Sequence, residues 1–302
     1  MADTPPAIAF KQFQEDLGCP QEVQEAVLGA ILAHNEATEP LLSRGITGST
    51  SVVDFRRLQP VTDYEAVREY VDAITAGDKD PSALVGDKVL GMLLSSGTTG
   101  GPPKMIPWTV KQSTVGMAGF MTQAAIMAKA GSNPMEGRAI NFLRAGKEVP
   151  TKCGLVAAAL STHLILSPTI KPMLEASCTS PYEAFLIRNP GRSMYAHLLC
   201  GLLRRGEVRE IRGNFASIVY EGLRTLETQW RDFVAHVRTG DAPPSFGAGR
   251  EELAAIAATA GLPDGGDEAL ATELEGVFAG GFEGIVPRLF PRCKLVQCIT
   301  TG

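Results

Sequence analysis

The chain of 302 residues is long enough to bury a substantial core, as one large domain or two medium ones, and its composition of 44% hydrophobic and 20% charged residues is typical of a globular protein. Its net charge of −5 at pH 7 gives no electrostatic basis for binding nucleic acid, whose phosphates require a basic surface. The most apolar window, residues 154–166, is interrupted by polar residues and is shorter than the roughly 20 residues that span a bilayer, so it predicts a buried element.

Six cysteines occur, and none of them forms a CxxC pair or lies near a histidine-bearing metal motif. Cys293 and Cys298 lie in a predicted strand, where their odd spacing places them on opposite faces. Buried, unpaired thiols are typical of a reducing compartment, and the N-terminal segment MADTPPAIAF does not have the pattern of a secretory signal. We therefore expect the cytoplasm as the location, with no membrane as a partner.

Two helices are predicted near the start of the chain. Residues 8–35 form the first, because apolar residues recur at helical spacing and Pro20 suits a first turn. The second lies within PVTDYEAVREYVDAITAGD, with Thr62 or Asp63 as its cap and Gly77 near its end.

The next segments predict the alternating pattern of an α/β fold. KVLGMLLSS, residues 88–96, is a continuous apolar run that predicts a buried strand in a parallel sheet. A glycine-rich loop, a helix over 109–131 and a strand over 138–144 complete a predicted βαβ unit. Farther along, helical and strand patterns alternate up to a final strand that begins near Cys293.

The loop SSGTTGGPPK, residues 95–104, combines the groups that bind a polyphosphate. Glycine lets backbone amides converge on an anion, the four hydroxyls add donors, and Lys104 brings a positive charge on a long stem. The loop matches neither the Walker pattern, which needs Ser or Thr after the lysine, nor the dinucleotide pattern GxGxxG. Composition alone leaves open an ordinary flexible turn between a strand and a helix.

The order of residues in this loop resembles the phosphate-loop signature of the adenylate-forming superfamily, with one additional residue before the lysine. Within that superfamily the chain resembles the plant acyl-acid amido synthetases of the Gretchen Hagen type. The resemblance spans nearly all 302 residues, and it includes QEVQEAVLGAILAHNEATEPL, RSMYAHLLCGLLRRGEV and NFASIVYEGLRTLETQW. It implies an α/β fold like the large domain of firefly luciferase. We expect residues 1–302 to be an incomplete N-terminal adenylation domain, with the mobile C-terminal domain absent.

The resemblance implies a two-step reaction. ATP, accompanied by Mg²⁺, activates a carboxylic acid of the auxin or jasmonate class to an acyl adenylate, and an amino acid then displaces AMP. The implied nucleotide-binding residues, with Ser96 the foremost, are Ser95, Ser96, Gly97, Thr98, Thr99, Gly100 and Gly101. Lys104 has the implied catalytic role of holding phosphate, and no residue is assigned to a metal.

For the acid, the resemblance implies contacts from Thr151, Gly154 and Phe215, although Phe215 also fits a plain core aromatic. Lys152 departs from the family pattern. Its side chain either pairs with the carboxylate of the acid or points into solvent, and the sequence leaves both alternatives open. His197 lies in an amphipathic helix and is interpreted as structural.

Two further hypotheses are a non-catalytic remnant that binds a small acid or has a regulatory role, and a ligase that passes the acyl group to coenzyme A. Independent activity of such an incomplete domain is in doubt.

Overall fold

The computed structural model describes residues 5–95, 103–129 and 136–299. The chain divides into two compact units, one formed by Met1–Ile126 with Lys147–Leu160 and the other by Met127–Gly146 with Ser161–Gly302. No helix in the described ranges is long and apolar enough to cross a membrane. The mixture of helices with two separate sheets confirms the predicted α/β class.

Helices account for most of the described secondary structure. The region predicted as one helix, residues 8–35, contains two, because Cys19 has the non-helical angles φ −142° and ψ 58° and Pro20 begins a new helix. The helices are α1 (Pro5–Gly18), α2 (Pro20–Asn35), α3 (Glu39–Leu42), α4 (Val52–Leu58), α5 (Glu65–Ala76), α6 (Val110–Lys129), α7 (Leu160–Ile165), α8 (Ile170–Ser177), α9 (Tyr182–Leu186), α10 (Pro190–Leu203), α11 (Ala216–Thr239), α12 (Arg250–Thr259), α13 (Glu268–Ala279) and α14 (Ile285–Leu289).

The described strands form one sheet in each unit. They are β1 (Val89–Leu94), β2 (Met105–Thr109), β3 (Arg138–Asn141), β4 (Val149–Pro150), β5 (Val156–Ala158), β6 (Val208–Phe215) and β7 (Leu295–Ile299). The first sheet has the order β2-β1-β5-β4 and the second has the order β3-β6-β7.

In the first unit, β1 runs antiparallel to β2 and parallel to β5. Met92 of β1 and Ala157 of β5 are buried side by side and pack against Val71 of α5. α5 ends, as predicted, at Gly77, whose φ of +86° favours glycine. The helix and sheet therefore share one small apolar core.

In the second unit, three parallel strands pack one face against helices. Ile140 of β3 and Ile211 of β6 lie in the same core as α10, which is buried along most of its length. Gly201 of α10 permits this close approach, because a Cβ atom there would lie 2.4 Å from Cδ1 of Ile140. The amphipathic helix α11 begins directly at the carboxyl end of β6.

The predicted βαβ unit is wrong, since β1 and β3 belong to different sheets. The loop after β1 does not lead into a helix but into the antiparallel strand β2, and α6 follows β2. β2 is an edge strand, which is where a strand tolerates a proline such as Pro107. The predicted phosphate loop is thus closed by a β-hairpin.

Candidate functional site

The ends of the glycine-rich loop are held together by the hairpin of β1 and β2. The amide of Ser95 donates to the carbonyl oxygen of Lys104 over 2.9 Å, and the amide of Lys104 donates to Oγ of Ser95 over 2.9 Å. Leu94 and Met105 form the last pair of the strand register before the loop. The two ends of the loop are therefore fixed next to each other, with both backbone and hydroxyl contacts.

Tyr64, just before α5, supports the same end of the hairpin. Its hydroxyl accepts a hydrogen bond of 3.1 Å from the amide of Met105. The Nζ atom of Lys104 lies 5.6 Å from the centre of the Tyr64 ring, within the range of a cation–π contact. Among the described residues, no carboxylate forms an ion pair with Lys104, so its charge is available to an anion.

The remaining residues of the predicted phosphate site lie outside the described residues. They are Ser96, Gly97, Thr98, Thr99, Gly100 and Gly101. Their predicted contacts with phosphate stay a prediction, whereas the positions of Ser95 and Lys104 at the base of the loop are structural findings.

Thr151 and Gly154 form the tight turn that joins β4 to β5. The Oγ1 atom of Thr151 donates to the carbonyl oxygen of Leu155 over 2.6 Å, and the amide of Gly154 donates to the carbonyl of Thr151 over 3.1 Å. Gly154 has a φ of +85°, a conformation that a residue with a Cβ atom rarely adopts. The turn itself therefore explains both residue types. Lys152 in the same turn is exposed, and its amide donates to the carbonyl of Thr75.

The register places this turn away from the base of the glycine-rich loop. β5 is parallel to β1, with Met92 opposite Ala157, and the turn precedes β5. The turn therefore lies at the end of the sheet where β1 begins, whereas Ser95 lies at the opposite end, where β1 finishes. Exposed Ala159 and Leu160, which follow β5, share the edge of Ser95, and sequence reasoning did not single them out.

Phe215 lies in the second unit, at the junction of β6 and α11. It is the last residue of β6, pairs with Ile299 of β7, and occupies the N-cap position of α11. Its side chain is 46% exposed, so the interpretation as a core aromatic is wrong. The carboxyl edge of a parallel sheet is a common location of ligand sites, and Phe215 is placed there.

The second unit also contains a pocket that the sequence did not predict. Its volume is about 440 Å³, within the range of small-molecule sites. The walls come from the segment after β3, from the start of α10 and from the first half of α11, which contribute the apolar side chains Phe142, Met194 and Ile218. Gly222 shapes one wall, because a Cβ atom there would lie 2.8 Å from Cζ of Phe142.

Charged side chains line the same pocket. Arg224 is paired with Glu227 on the next turn of α11. Arg144 donates one hydrogen bond, of 3.3 Å, to the carbonyl of Arg188. Glu221 and Arg144 line the pocket without an ion pair in the part of the chain that the structure describes.

His197 forms the buried back of this pocket and has a structural role, as its helical context predicted. Its Nδ1 atom accepts from the hydroxyl of Ser180 over 2.8 Å, and its Nε2 atom donates to the carbonyl of Leu143 over 3.0 Å. Burial lowers the pKa of His197 to about 4, so the ring is neutral at pH 7. Because both ring nitrogens are occupied, the side chain fixes the segment that carries Phe142 and Arg144.

Sequence and structure comparisons place the chain beside a known group of enzymes. The sequence profile of the "GH3 family N-terminal domain" matches residues 9–302. A rice protein named probable indole-3-acetic acid-amido synthetase GH3.11 is 34% identical over 286 residues, which cover 93% of this chain and 47% of that protein. The rice jasmonoyl–L-amino acid synthetase GH3.3 is 31% identical, with 93% of this chain and 61% of that protein covered.

A solved structure shows the same similarity in three dimensions. The structure of the GH3.15 acyl acid amido synthetase matches with a TM-score of 0.85 and 26% identity, covering all of this chain and 52% of that one. The chain spans about half the length of GH3.11 from rice and of the solved GH3.15 chain. The match confirms the predicted similarity to the amido synthetase fold.

Proposed function

The chain belongs to the GH3 family, and on that premise we propose that it binds ATP and takes part in the ATP-dependent ligation of a small carboxylic acid to an amino acid. The observation that carries the proposal is the hairpin base at Ser95 and Lys104. There the hydrogen bonds between Ser95 and Lys104 hold a lysine, which has no ion pair among the described residues, at the end of a loop rich in glycine and hydroxyl groups.

The chemistry of the first step requires such a lysine. A carboxylate is a poor electrophile, and its attack on the α-phosphate of ATP gives an acyl adenylate and releases pyrophosphate. The departing pyrophosphate carries growing negative charge, which a positioned cation and amide donors stabilise. We assign the cationic role to Lys104, together with amides and hydroxyls from residues 95–101. Magnesium would enter bound to ATP.

The second step is attack by the amine of an amino acid on the acyl adenylate, with AMP as the leaving group. The relatives support an acid of the auxin or jasmonate class, since their names include indole-3-acetic acid and jasmonoyl conjugation. A solved GH3.15 structure, described as an acyl acid amido synthetase in complex with 2,4-DB, supports an acyl acid as the substrate class as well. Phe215, exposed at the carboxyl edge of its sheet, remains our candidate for contact with the acid, with Thr151 and Gly154 as weaker ones.

The proposed setting is the cytoplasm. All six cysteines are unpaired, as expected in a reducing compartment. The prediction that the thiols are buried is only partly correct, because Cys178 and Cys200 are buried, Cys153, Cys293 and Cys298 are half-buried, and Cys19 is exposed. Cys293 also precedes β7 instead of lying within it.

ATP–pyrophosphate exchange tests the proposed first step. We expect exchange that depends on indole-3-acetic or jasmonic acid, and a loss of about 10²–10³-fold for Lys104→Ala. Lys88→Ala is the matched control, because Lys88 is an exposed lysine at the opposite end of the same hairpin and should retain full exchange. Acid binding without any exchange would refute ligation and support the acid-binding alternative.

A further inference from the structure

Tyr64 contacts both residues that end the glycine-rich loop, one through its hydroxyl and the other through its ring. The hydroxyl accepts the amide of Met105 over 3.1 Å, and the ring centre lies 5.6 Å from Nζ of Lys104. Tyr64 and Met105 are 41 residues apart in the chain, so the fold and not the local sequence brings them together.

The hydroxyl of Tyr64 takes the place of a missing strand at the edge of the sheet. Hydrogen-bonded and non-hydrogen-bonded pairs alternate along an antiparallel ladder. Since Ser95 and Lys104 bond to each other, the amide of Met105, which follows in β2, points away from β1. β2 is an edge strand, so no further strand of its sheet accepts this amide. Tyr64 accepts it and thereby fixes the backbone where the loop ends.

The ring of Tyr64 orients the charge of Lys104 without neutralising it. A cation is attracted to the face of an aromatic ring within about 6 Å of its centre. Arg68 also lies within this range, at 5.7 Å, but its guanidinium is paired with Glu65. Lys104 has no ion pair among the described residues, so an anionic ligand does not have to displace a carboxylate from it.

Tyr64 is held by the same core as the hairpin. It occupies the N-cap position of α5, and Val71 of that helix packs against the buried Met92 of β1. The helix that carries Tyr64 and the strands that carry the loop therefore form one packed body. Both contacts of Tyr64 are built into the fold before any ligand arrives.

We propose that Tyr64 is a positioning residue for nucleotide binding, which holds the ammonium group of Lys104 at the base of the glycine-rich loop. The inference rests on the proposed function, because it takes ATP as the ligand of Lys104. A lysine side chain has many rotamers, and ordering it before the ligand binds lowers the entropy that binding must offset. The ring provides this order for the side chain, and the hydroxyl provides it for the backbone.

Titration calorimetry of the whole chain with ATP and magnesium tests the two contacts. Tyr64→Leu removes the ring and the hydroxyl, and it should weaken ATP binding by about threefold to thirtyfold. Tyr64→Phe keeps the ring, so it should weaken binding less than Tyr64→Leu does. Tyr70→Leu is the matched control, because Tyr70 is a half-buried tyrosine of the same helix with Nζ of Lys79 5.4 Å from its ring centre. It should change ATP affinity less than about twofold.

The ratio of ATP affinities between Tyr64→Phe and Tyr64→Leu isolates the ring, since both variants lack the hydroxyl. If the ring acts through Lys104, this ratio should fall to about one when Lys104→Ala is added to each variant. A ring that only stabilises the hairpin would give the same ratio with and without Lys104, and that result would overturn the proposal. It would leave the binding of ATP, and with it the proposed function, untouched.

NMR of lysines carrying isotope-labelled methyl groups tests the ring contact without a nucleotide. Reductive methylation retains the positive charge, and the ring current of Tyr64 should shift the signal of Lys104 upfield. Tyr64→Leu should abolish this shift and Tyr64→Phe should retain it, whereas Tyr70→Leu should move only the signal of Lys79. A Lys104 signal that does not respond to Tyr64→Leu would overturn the inference even if ATP binds. A ring-dependent signal in a chain that binds no ATP would support the contact and reject only the proposed function.

Discussion

The imidazole of His197 accepts a hydrogen bond from the hydroxyl of Ser180 at a distance of 2.8 Å, while its other nitrogen donates to Leu143. These contacts fix the tautomer, because a carbonyl oxygen can only accept. The ring also lies 4.8 Å from that of Phe185, centre to centre. A neutral histidine thus ties three separate segments of the second unit together.

Acid should destabilise the protein through its buried histidines. Burial lowers the pKa of both His197 and His236 to about 4, against 6.5 in the unfolded chain. Between these two values the unfolded state binds more protons, so stability falls as the pH drops through this window. The slope is up to about 1.4 kcal/mol per pH unit for each histidine. Urea unfolding at several pH values measures it, and equal stability at pH 6.5 and 5 would contradict the prediction.

Ser180→Ala should lower the free energy of unfolding by about 1–3 kcal/mol, because it leaves a buried ring nitrogen without a donor. The control is Ser43→Ala, which removes an exposed hydroxyl that donates to the carbonyl of Pro40. That change should stay within about 0.5 kcal/mol. Urea unfolding of both variants decides the matter, and equal effects would mean that the bond to His197 contributes nothing.

Local patterns predicted single elements well and failed where distant segments meet. The end of α5 followed from Gly77, whose backbone preference acts locally, whereas the predicted cap at Thr62 or Asp63 is wrong, because Tyr64 holds the N-cap position and Asp63 only accepts from the amide of Glu65. β2 was missed because Pro107 is disfavoured in strands, and only its place at the sheet edge makes it acceptable. The break at Cys19 was missed because helical periodicity continues across it.

The candidate sites show the same division. Ser95 and Lys104 were identified from the order of residues within one loop, and the structure pairs their backbones. The pocket beside α11 had no sequence signal, because Phe142, Met194 and Glu221 come from three segments that only the fold brings together. Arg144 and Glu221 look like ordinary surface charges in the sequence, and nothing there indicates that they line the same pocket.

Removing Glu210 should be strongly destabilising. Glu210 is buried, and its Oε2 atom pairs with Nη2 of Arg212 over 2.6 Å on the same face of β6. Oε1 of Glu210 and Nε of Arg212 are buried without a hydrogen-bond partner among the described residues. Glu210→Leu leaves a largely buried guanidinium unpaired, at a cost of about 3–5 kcal/mol. Adding Arg212→Met should recover most of that loss.

Urea unfolding of the two single variants and the double variant measures this coupling. Glu268→Gln serves as a control, because Glu268 pairs with Arg238 at the surface and its loss should cost no more than about 1 kcal/mol. If the double variant is as unstable as Glu210→Leu alone, the unpaired charge is not the cause.

Gly154→Ala should separate the role of the β4–β5 turn from nucleotide binding. A Cβ atom at a φ of +85° meets no neighbour within 4 Å, so the expected cost is backbone strain alone, about 1–2 kcal/mol. Gly116→Ala is the control, because Gly116 lies within α6 with open space around it and alanine favours helix by up to about 1 kcal/mol. The KM for ATP in pyrophosphate exchange should not change, since the turn lies at the opposite edge of the sheet from Ser95. A raised KM for ATP in a variant that remains folded would show that the turn reaches the nucleotide after all.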